Sequence, residues 1–255
     1  MHGRAGFFQL IRRGAGIIEG KHCLQVEKIK VFSGRMGGAG ELAITDLDLN
    51  EVKALLLKFG EPRYRARQLL DWVYKKGTDD FKAMSNLPLN LQRSLEERGW
   101  RVGPLTVAGT REAEDGTKKY LFRLPDGLYV EAVYIPEEKR KTVCFSTQVG
   151  CAVGCLFCAT GQQGFKRNLT VGEIVDQVRK IGQDRQTRIS HAVAMGQGEP
   201  LANYDQTLKA IRLFNADYGL RMAARRLTIS TSGIVPAIYR LAGEKLQINL
   251  AFSLH

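Results

Sequence analysis

No run of eighteen or more apolar residues occurs in the 255-residue chain, so no membrane-spanning helix is expected. The opening "MHGRAGFFQLIRRGAGIIEG" lacks a continuous apolar stretch, because Arg12, Arg13 and several glycines interrupt it. It is not a convincing signal peptide. Cysteine is scarce and badly spread for a disulfide scaffold. Of five cysteines, four (Cys144, Cys151, Cys155, Cys158) fall within one short stretch, leaving Cys23 alone. A secreted, stapled domain would distribute them, so the cluster points to a metal site in a reducing, cytoplasmic compartment. There is no internal repeat and no interleaved array of basic and aromatic residues. Acidic residues are the minority charge, 26 against 38 Lys and Arg, which gives a net charge of +12. Charge of that size favours a polyanionic partner over a merely solvated surface, but it does not separate RNA from DNA or an acidic membrane.

Residues 1–41 are rich in Gly and Arg without sustained periodicity. They read as poorly ordered, or as an extension upstream of a start at Met36. From 42 to 100 the pattern is helical. Asp48 and Glu51 form a capping box ahead of Val52, Leu55, Leu56 and Phe59. After the Gly60-Glu61-Pro62 break, Ala66, Leu69, Leu70 and Val73 share a face, and "LPLNLQRSLEERG" forms a third helix ending at Gly99. Residues 101–140 change to a β-meander, with turns at Asp115–Thr117 and Pro125–Gly127. In "LYVEAVYIP", Val130, Ala132 and Tyr134 alternate with Tyr129, Glu131 and Val133. From 141 to 255, apolar strands ("TVCFSTQV", "HAVAMG", "RRLTIST", "LQINLAFSL") alternate with amphipathic helices, the first capped by Thr170 and Glu173. That order predicts an α/β fold with a parallel sheet and right-handed crossovers.

Cys151-Ala-Val-Gly-Cys155-Leu-Phe-Cys158 is the central signal. Three thiolates so spaced after a strand can converge on one inorganic cluster, at the end of the sheet where α/β folds place ligands. Three ligands on a four-iron cubane leave one iron open. Zinc is the alternative. It wants four ligands, and His191, far along the chain, would have to be the fourth.

CxxxCxxC with Phe157 before the last cysteine resembles the radical S-adenosylmethionine signature. The stretch "YIPEEKRKTVCFSTQVGCAVGCLFCATGQQGFKRNLT" and, in order, "MGQGEPLANYD", "RRLTISTSGIVP" and "LAFSLH" resemble the RlmN/Cfr family from about Leu47 to His255. The resemblance implies a partial (β/α) barrel, four of an expected six strands being present, behind a helical accessory domain that binds RNA. It implies a [4Fe-4S] cluster on Cys151, Cys155 and Cys158. It also implies S-adenosylmethionine contacted by Gly198, Glu199, Ser230, Ser253, Leu254 and His255. Gly198 would let backbone approach a ligand, and Glu199 could accept from an ammonium.

By the same resemblance Cys144 resolves a covalent enzyme–RNA adduct, and Glu131 is the base that removes an adenine proton. A partly desolvated carboxylate would suit that task. On the residues alone, Cys144 reads equally as a small core hydrophobe and Glu131 as a solvent-facing or ion-paired carboxylate. The implied activity is methylation of adenine carbon 2 in 23S rRNA and tRNA, or of carbon 8 in the Cfr branch. The implied partners are RNA and an electron donor such as flavodoxin or ferredoxin, and the chain is expected to act as a monomer. The family's methyl-carrying cysteine would lie beyond the matched motifs. No cysteine follows Cys158, so a truncated product unable to complete methyl transfer is the expectation. Two other readings stand against this one. A zinc-stabilised RNA-binding module explains charge and cysteines but not the GEP and SLH motifs. A radical enzyme acting on a small molecule leaves the later motifs to coincidence.

Overall fold

In the first helical stretch, sequence and structure agree down to single hydrogen bonds. The structure, a computed structural model, describes residues 42–253. The expected extension with Cys23, and the site candidates Leu254 and His255, lie outside the described residues. Strand β1 (Leu42–Ala43) and a 3-10 turn lead to α1 (Leu49–Lys58). At its start Asp48 Oδ1 accepts from the backbone N–H of Asn50 and Glu51, and the Asp48 N–H donates to Glu51 Oε2 at 2.7 Å. These bonds satisfy donors that the first helical turn leaves orphaned. Helix α2 (Arg65–Asp71) runs into a π-turn over Trp72–Lys76, and α3 spans Leu89–Glu97. Ala66, Leu69, Leu70 and Val73 are fully buried between these helices. Strand β2 (Trp100–Arg101) then pairs in parallel with β1.

The rest of the described chain is β3 (Thr106–Glu112), β4 (Lys118–Arg123), β5 (Tyr129–Pro136), β6 (Lys141–Cys144), β7 (Gln148–Gly150), α4 (Ala159–Gln162), β8 (Phe165–Asn168), α5 (Val171–Asp184), β9 (His191–Ala194), α6 (Tyr204–Asn215), β10 (Leu227–Thr231), α7 (Val235–Ala242) and β11 (Asn249–Phe252). Seven strands form one sheet in the order β11-β10-β9-β6-β5-β4-β3. The four on the β6 side are parallel, with helices α5 to α7 in their connections. These are the four strands the alternating pattern predicts. The meander does more than lead into the core. β5 pairs antiparallel with β6 and extends the same sheet, because Val130, Ala132 and Tyr134 continue the buried face of Val143, Ala192, Ala194, Leu227 and Ile229.

A second difference lies in "TVCFSTQV", read as one strand. It leaves the sheet after Cys144 and resumes as β7, which pairs with β8 in a two-stranded ribbon. Ser146 breaks the ladder. Its N–H donates to Gln177 Oε1 and its hydroxyl to the Glu131 carbonyl at 2.6 Å, so local side-chain bonds replace strand pairing.

The helical region is fastened to α5. Asp46 Oδ1 accepts from the Gly172 N–H at 2.6 Å in the first turn of α5, and Asp176 Oδ2 accepts from the Leu105 N–H. Thr170 and Glu173 cap α5 reciprocally, as the sequence suggests.

Candidate functional site

The loops that follow the C-terminal ends of β6, β9 and β10 lie at one end of the sheet, the usual ligand end of an α/β fold, and Ser253 follows β11 there. The cysteine loop joins β7 to β8. At its base Gln148 pairs with Asn168, and Gln148 Nε2 donates to Asn168 Oδ1 at 2.8 Å. Further out, the Cys151 N–H donates to the Gly164 carbonyl, and the Cys158 N–H to the Cys155 carbonyl. Cys151, Cys155 and Cys158 are free thiols, each partly exposed. Burial pushes the Cys151 thiol up; the charges of Glu199, Cys155 and Cys158 add to this, while the Val153 N–H acts against it.

The donor set fits an iron–sulfur cluster. All three donors are thiols on one loop, and none is locked in a disulfide. Among the described residues, no three His, Cys, Asp or Glu side chains converge on a point suited to a single ion. The zinc alternative loses its fourth ligand. His191 opens β9 opposite Thr142, and burial with the charges of Arg140 and Arg226 lowers its pKa. Those neighbours precede β6 and β10, so His191 sits at the far end of the strands.

Gly198 has φ +99°, and a Cβ there would come within 2.6 Å of Gln148 Cβ. The close backbone approach expected at this glycine is thus made to β7. Glu199 is buried and its carboxylate is already engaged. Oε1 accepts from the Leu201 N–H, and Oε2 accepts from the N–H and hydroxyl of Ser232 at 2.8 and 3.0 Å. A ligand ammonium would share this carboxylate with Ser232. Ser230 and Ser253, on neighbouring strand ends, come together with their hydroxyl oxygens 3.2 Å apart.

Pairing registers place Lys119, Glu131, Val133, Cys144, Val193, Thr228 and Ser230 on one face of the sheet, opposite the helix-covered core. The Glu131 side chain is 41% exposed, and its Oε1 lies 2.9 Å from Lys119 Nζ, the ion pairing that its residue type alone suggests. Cys144 is half-buried, and burial pushes its thiol up to about 11, against a hydrogen bond from the Met195 N–H that acts to lower it. It is therefore a thiol at neutral pH. Alkylation of Cys144 in the metal-free chain, read by mass spectrometry of its peptide, is expected to rise about tenfold per pH unit from pH 7 to 10. A plateau near pH 8 would contradict that. The raised value also means that folding stability falls as pH climbs from about 9 towards 11.

Sequence reasoning missed Gln148, Asn168, Ser232 and Asn203. Asn203 Nδ2 donates to the carbonyls of Thr147 and Leu169, closing the ribbon's base. Gln148 lies inside a quoted motif, but nothing local marks it as a tie.

Parallel strands, converging end loops and a three-cysteine loop define the class: a radical S-adenosylmethionine domain. The profile of the radical SAM superfamily matches residues 145–255, and that of the ribosomal RNA large subunit methyltransferase N-terminal domain matches 42–99. The chain is 49% identical over 222 residues to the probable dual-specificity RNA methyltransferase RlmN of Symbiobacterium thermophilum, covering 85% of this chain and 59% of that protein. It is 46% identical over 218 residues to the dual-specificity RNA methyltransferase RlmN of Halorhodospira halophila, covering 85% and 60%. The crystal structure of a radical SAM methyltransferase from Sphaerobacter thermophilus superposes with a TM-score of 0.80 at 45% identity, covering 84% of this chain and 64% of that one. The chain belongs to the RlmN/Cfr family of radical S-adenosylmethionine proteins. It spans about 60% of the length of the curated relatives it matches.

Proposed function

We propose that this protein methylates carbon 2 of adenine in 23S rRNA and in tRNA, using a [4Fe-4S] cluster and S-adenosylmethionine. The observation that carries the reading is the shared sheet face. Glu131, Cys144 and Ser230 lie on it, beside the strand ends that bear the cysteine loop and Glu199. Cys151, Cys155 and Cys158 hold the cluster. Bound there, the cluster and the sulfonium cofactor would supply one-electron chemistry. Gly198, Glu199, Ser230 and Ser253 line the cofactor, with Leu254 and His255 beyond them. Glu131 receives the ring proton, its carboxylate aimed along the sheet by Lys119. Cys144, a thiol at neutral pH, is the residue that resolves the enzyme–RNA adduct. RNA is drawn in by the net charge of +12, and an acidic flavodoxin or ferredoxin supplies the electron. The protein works as a cytoplasmic monomer.

The test is anaerobic purification and reconstitution with iron and sulfide. A brown chain that cleaves S-adenosylmethionine to 5′-deoxyadenosine is expected, and colourless stoichiometric zinc would overturn the reading. Methyl transfer is assayed on the gene's full product, because the resemblance places the methyl-carrying cysteine after the motifs matched here. Mass spectrometry of digested RNA separates 2-methyladenosine, the expected product, from 8-methyladenosine, which would assign the Cfr-type reaction.

A further inference from the structure

Gln148 is buried three residues before the first cluster cysteine, and both ends of its amide are used. Nε2 donates to Asn168 Oδ1, across the base of the cysteine loop. Oε1 accepts from the Glu199 N–H at 2.9 Å. Gly198 packs directly on its Cβ and Cγ, with no room for a side chain of its own. Glu199 in turn holds the N–H and hydroxyl of Ser232 in the loop after β10. One chain of hydrogen bonds, Asn168–Gln148–Glu199–Ser232, thus links the three loops that follow β7, β9 and β10. No other described side chain bonds both to the cysteine-loop ribbon and to the Gly198–Glu199 backbone.

We infer that Gln148 is a positioning residue that sets the cysteine loop at a fixed distance and angle from Glu199. The inference rests on the reading that the first loop holds the cluster and the second the sulfonium cofactor. An amide suits the task. It donates on one side and accepts on the other without adding charge beside the buried Glu199 carboxylate. Removing it leaves the Glu199 N–H and Asn168 Oδ1 without their partner and loosens the two loops, which keep only the backbone bonds of Thr147 and Gln148 to the Gln197 carbonyl and that of Gln197 to Ser146.

The test is Gln148→Met, which keeps the volume and removes both bonds, read in two ways in the full chain. In the metal-free protein, amide hydrogen exchange over 149–164 and 196–201 is expected to rise about tenfold in both segments, with α3 unchanged. After reconstitution, iron content is expected to stay at the wild-type level. The KM for S-adenosylmethionine should rise about tenfold, with a smaller fall in kcat for its cleavage. Asn168→Leu is the second variant, kept in case Gln148→Met fails to fold. It cuts only the tie to β8, so it should loosen 149–164 and leave 196–201 near wild type. Unchanged exchange at 196–201 in Gln148→Met, an unchanged KM, or equal loosening of both segments in Asn168→Leu would each overturn the inference. Failure of the wild-type chain to take up iron would sink the functional reading instead. The exchange measurement on the metal-free chain judges the tie either way.

Discussion

Asp176→Ala is expected to cost about 3–5 kcal/mol of folding stability, the range seen when one partner of a buried ion pair is removed. Asp176 and Arg179 lie one turn apart on α5, and their side chains are 0% and 2% exposed. Asp176 Oδ1 accepts from Arg179 Nε at 2.7 Å, and Oδ2 accepts from the Leu105 N–H. The guanidinium also bonds Asp79 and the Thr78 carbonyl, both in the helical region. Gly103 presses against the Asp176 carboxylate so closely that a Cβ would overlap it. Truncating Asp176 orphans a backbone N–H and opens a small void. It also leaves a buried guanidinium with only the half-exposed Asp79. Urea unfolding checks the value, and a loss below about 1 kcal/mol would mean that Asp79 alone suffices. The double variant Asp176→Ala/Arg179→Met should lose less than Asp176→Ala alone, because the stranded charge goes too. A loss larger than the single variant's would instead assign the effect to packing. Burial acts to raise the Asp79 carboxyl, but the Arg179 and Lys180 charges outweigh it and hold it below the ordinary 3.8. Its contribution is therefore present above that value and disappears as pH falls through the lower folded value.

That network shows where sequence reading stops. The caps at Asp48–Glu51 and Thr170–Glu173 were legible because both partners lie within one helical turn. The alternation in β5 was legible because a strand with one buried face repeats every second residue. Asp79 and Arg179 stand 100 residues apart, and no local pattern joins them. The same holds for Gln148 with Glu199, and for the meander, whose apolar alternation fits a separate sheet as well as an extension of the barrel's own. The break in "TVCFSTQV" depends on Gln177 and Glu131 reaching Ser146 from other elements. Among the candidate site residues, the three cysteines stand out by spacing alone. Gly198 and Glu199 become candidates only through the resemblance, and their structural partners Gln148 and Ser232 needed coordinates. The ion pair of Glu131 with Lys119 was legible only as a general habit of strand carboxylates. The register Lys119–Val133 made it specific.

Replacing the cysteines one at a time should divide them into three and one. Cys151→Ser, Cys155→Ser and Cys158→Ser are each expected to lower iron per reconstituted chain by at least about tenfold, since altering even the outer shell of a metal site costs 10–100-fold. Each leaves two thiolates on a loop that has no fourth cysteine to recruit. Cys144→Ser should keep iron at the wild-type level. Cys144 lies on the sheet face in β6 rather than on the loop between β7 and β8. The four variants also test the cluster against adventitious iron, because metal scavenged by surface thiols would fall by similar fractions in all four. Loss of iron in Cys144→Ser, or full retention in any loop variant, would mean that the loop's three thiols are not the ligand set. The metal-free forms of all four should melt close to the wild-type chain, since the ribbon is held by Gln148, Asn203 and the Arg167–Glu173 pair rather than by sulfur. A loop variant that lost both iron and the fold would instead make these sulfurs part of the core. The partial exposure of Cys151, Cys155 and Cys158 argues against that outcome, because a side chain that contributes to packing would be sealed from water.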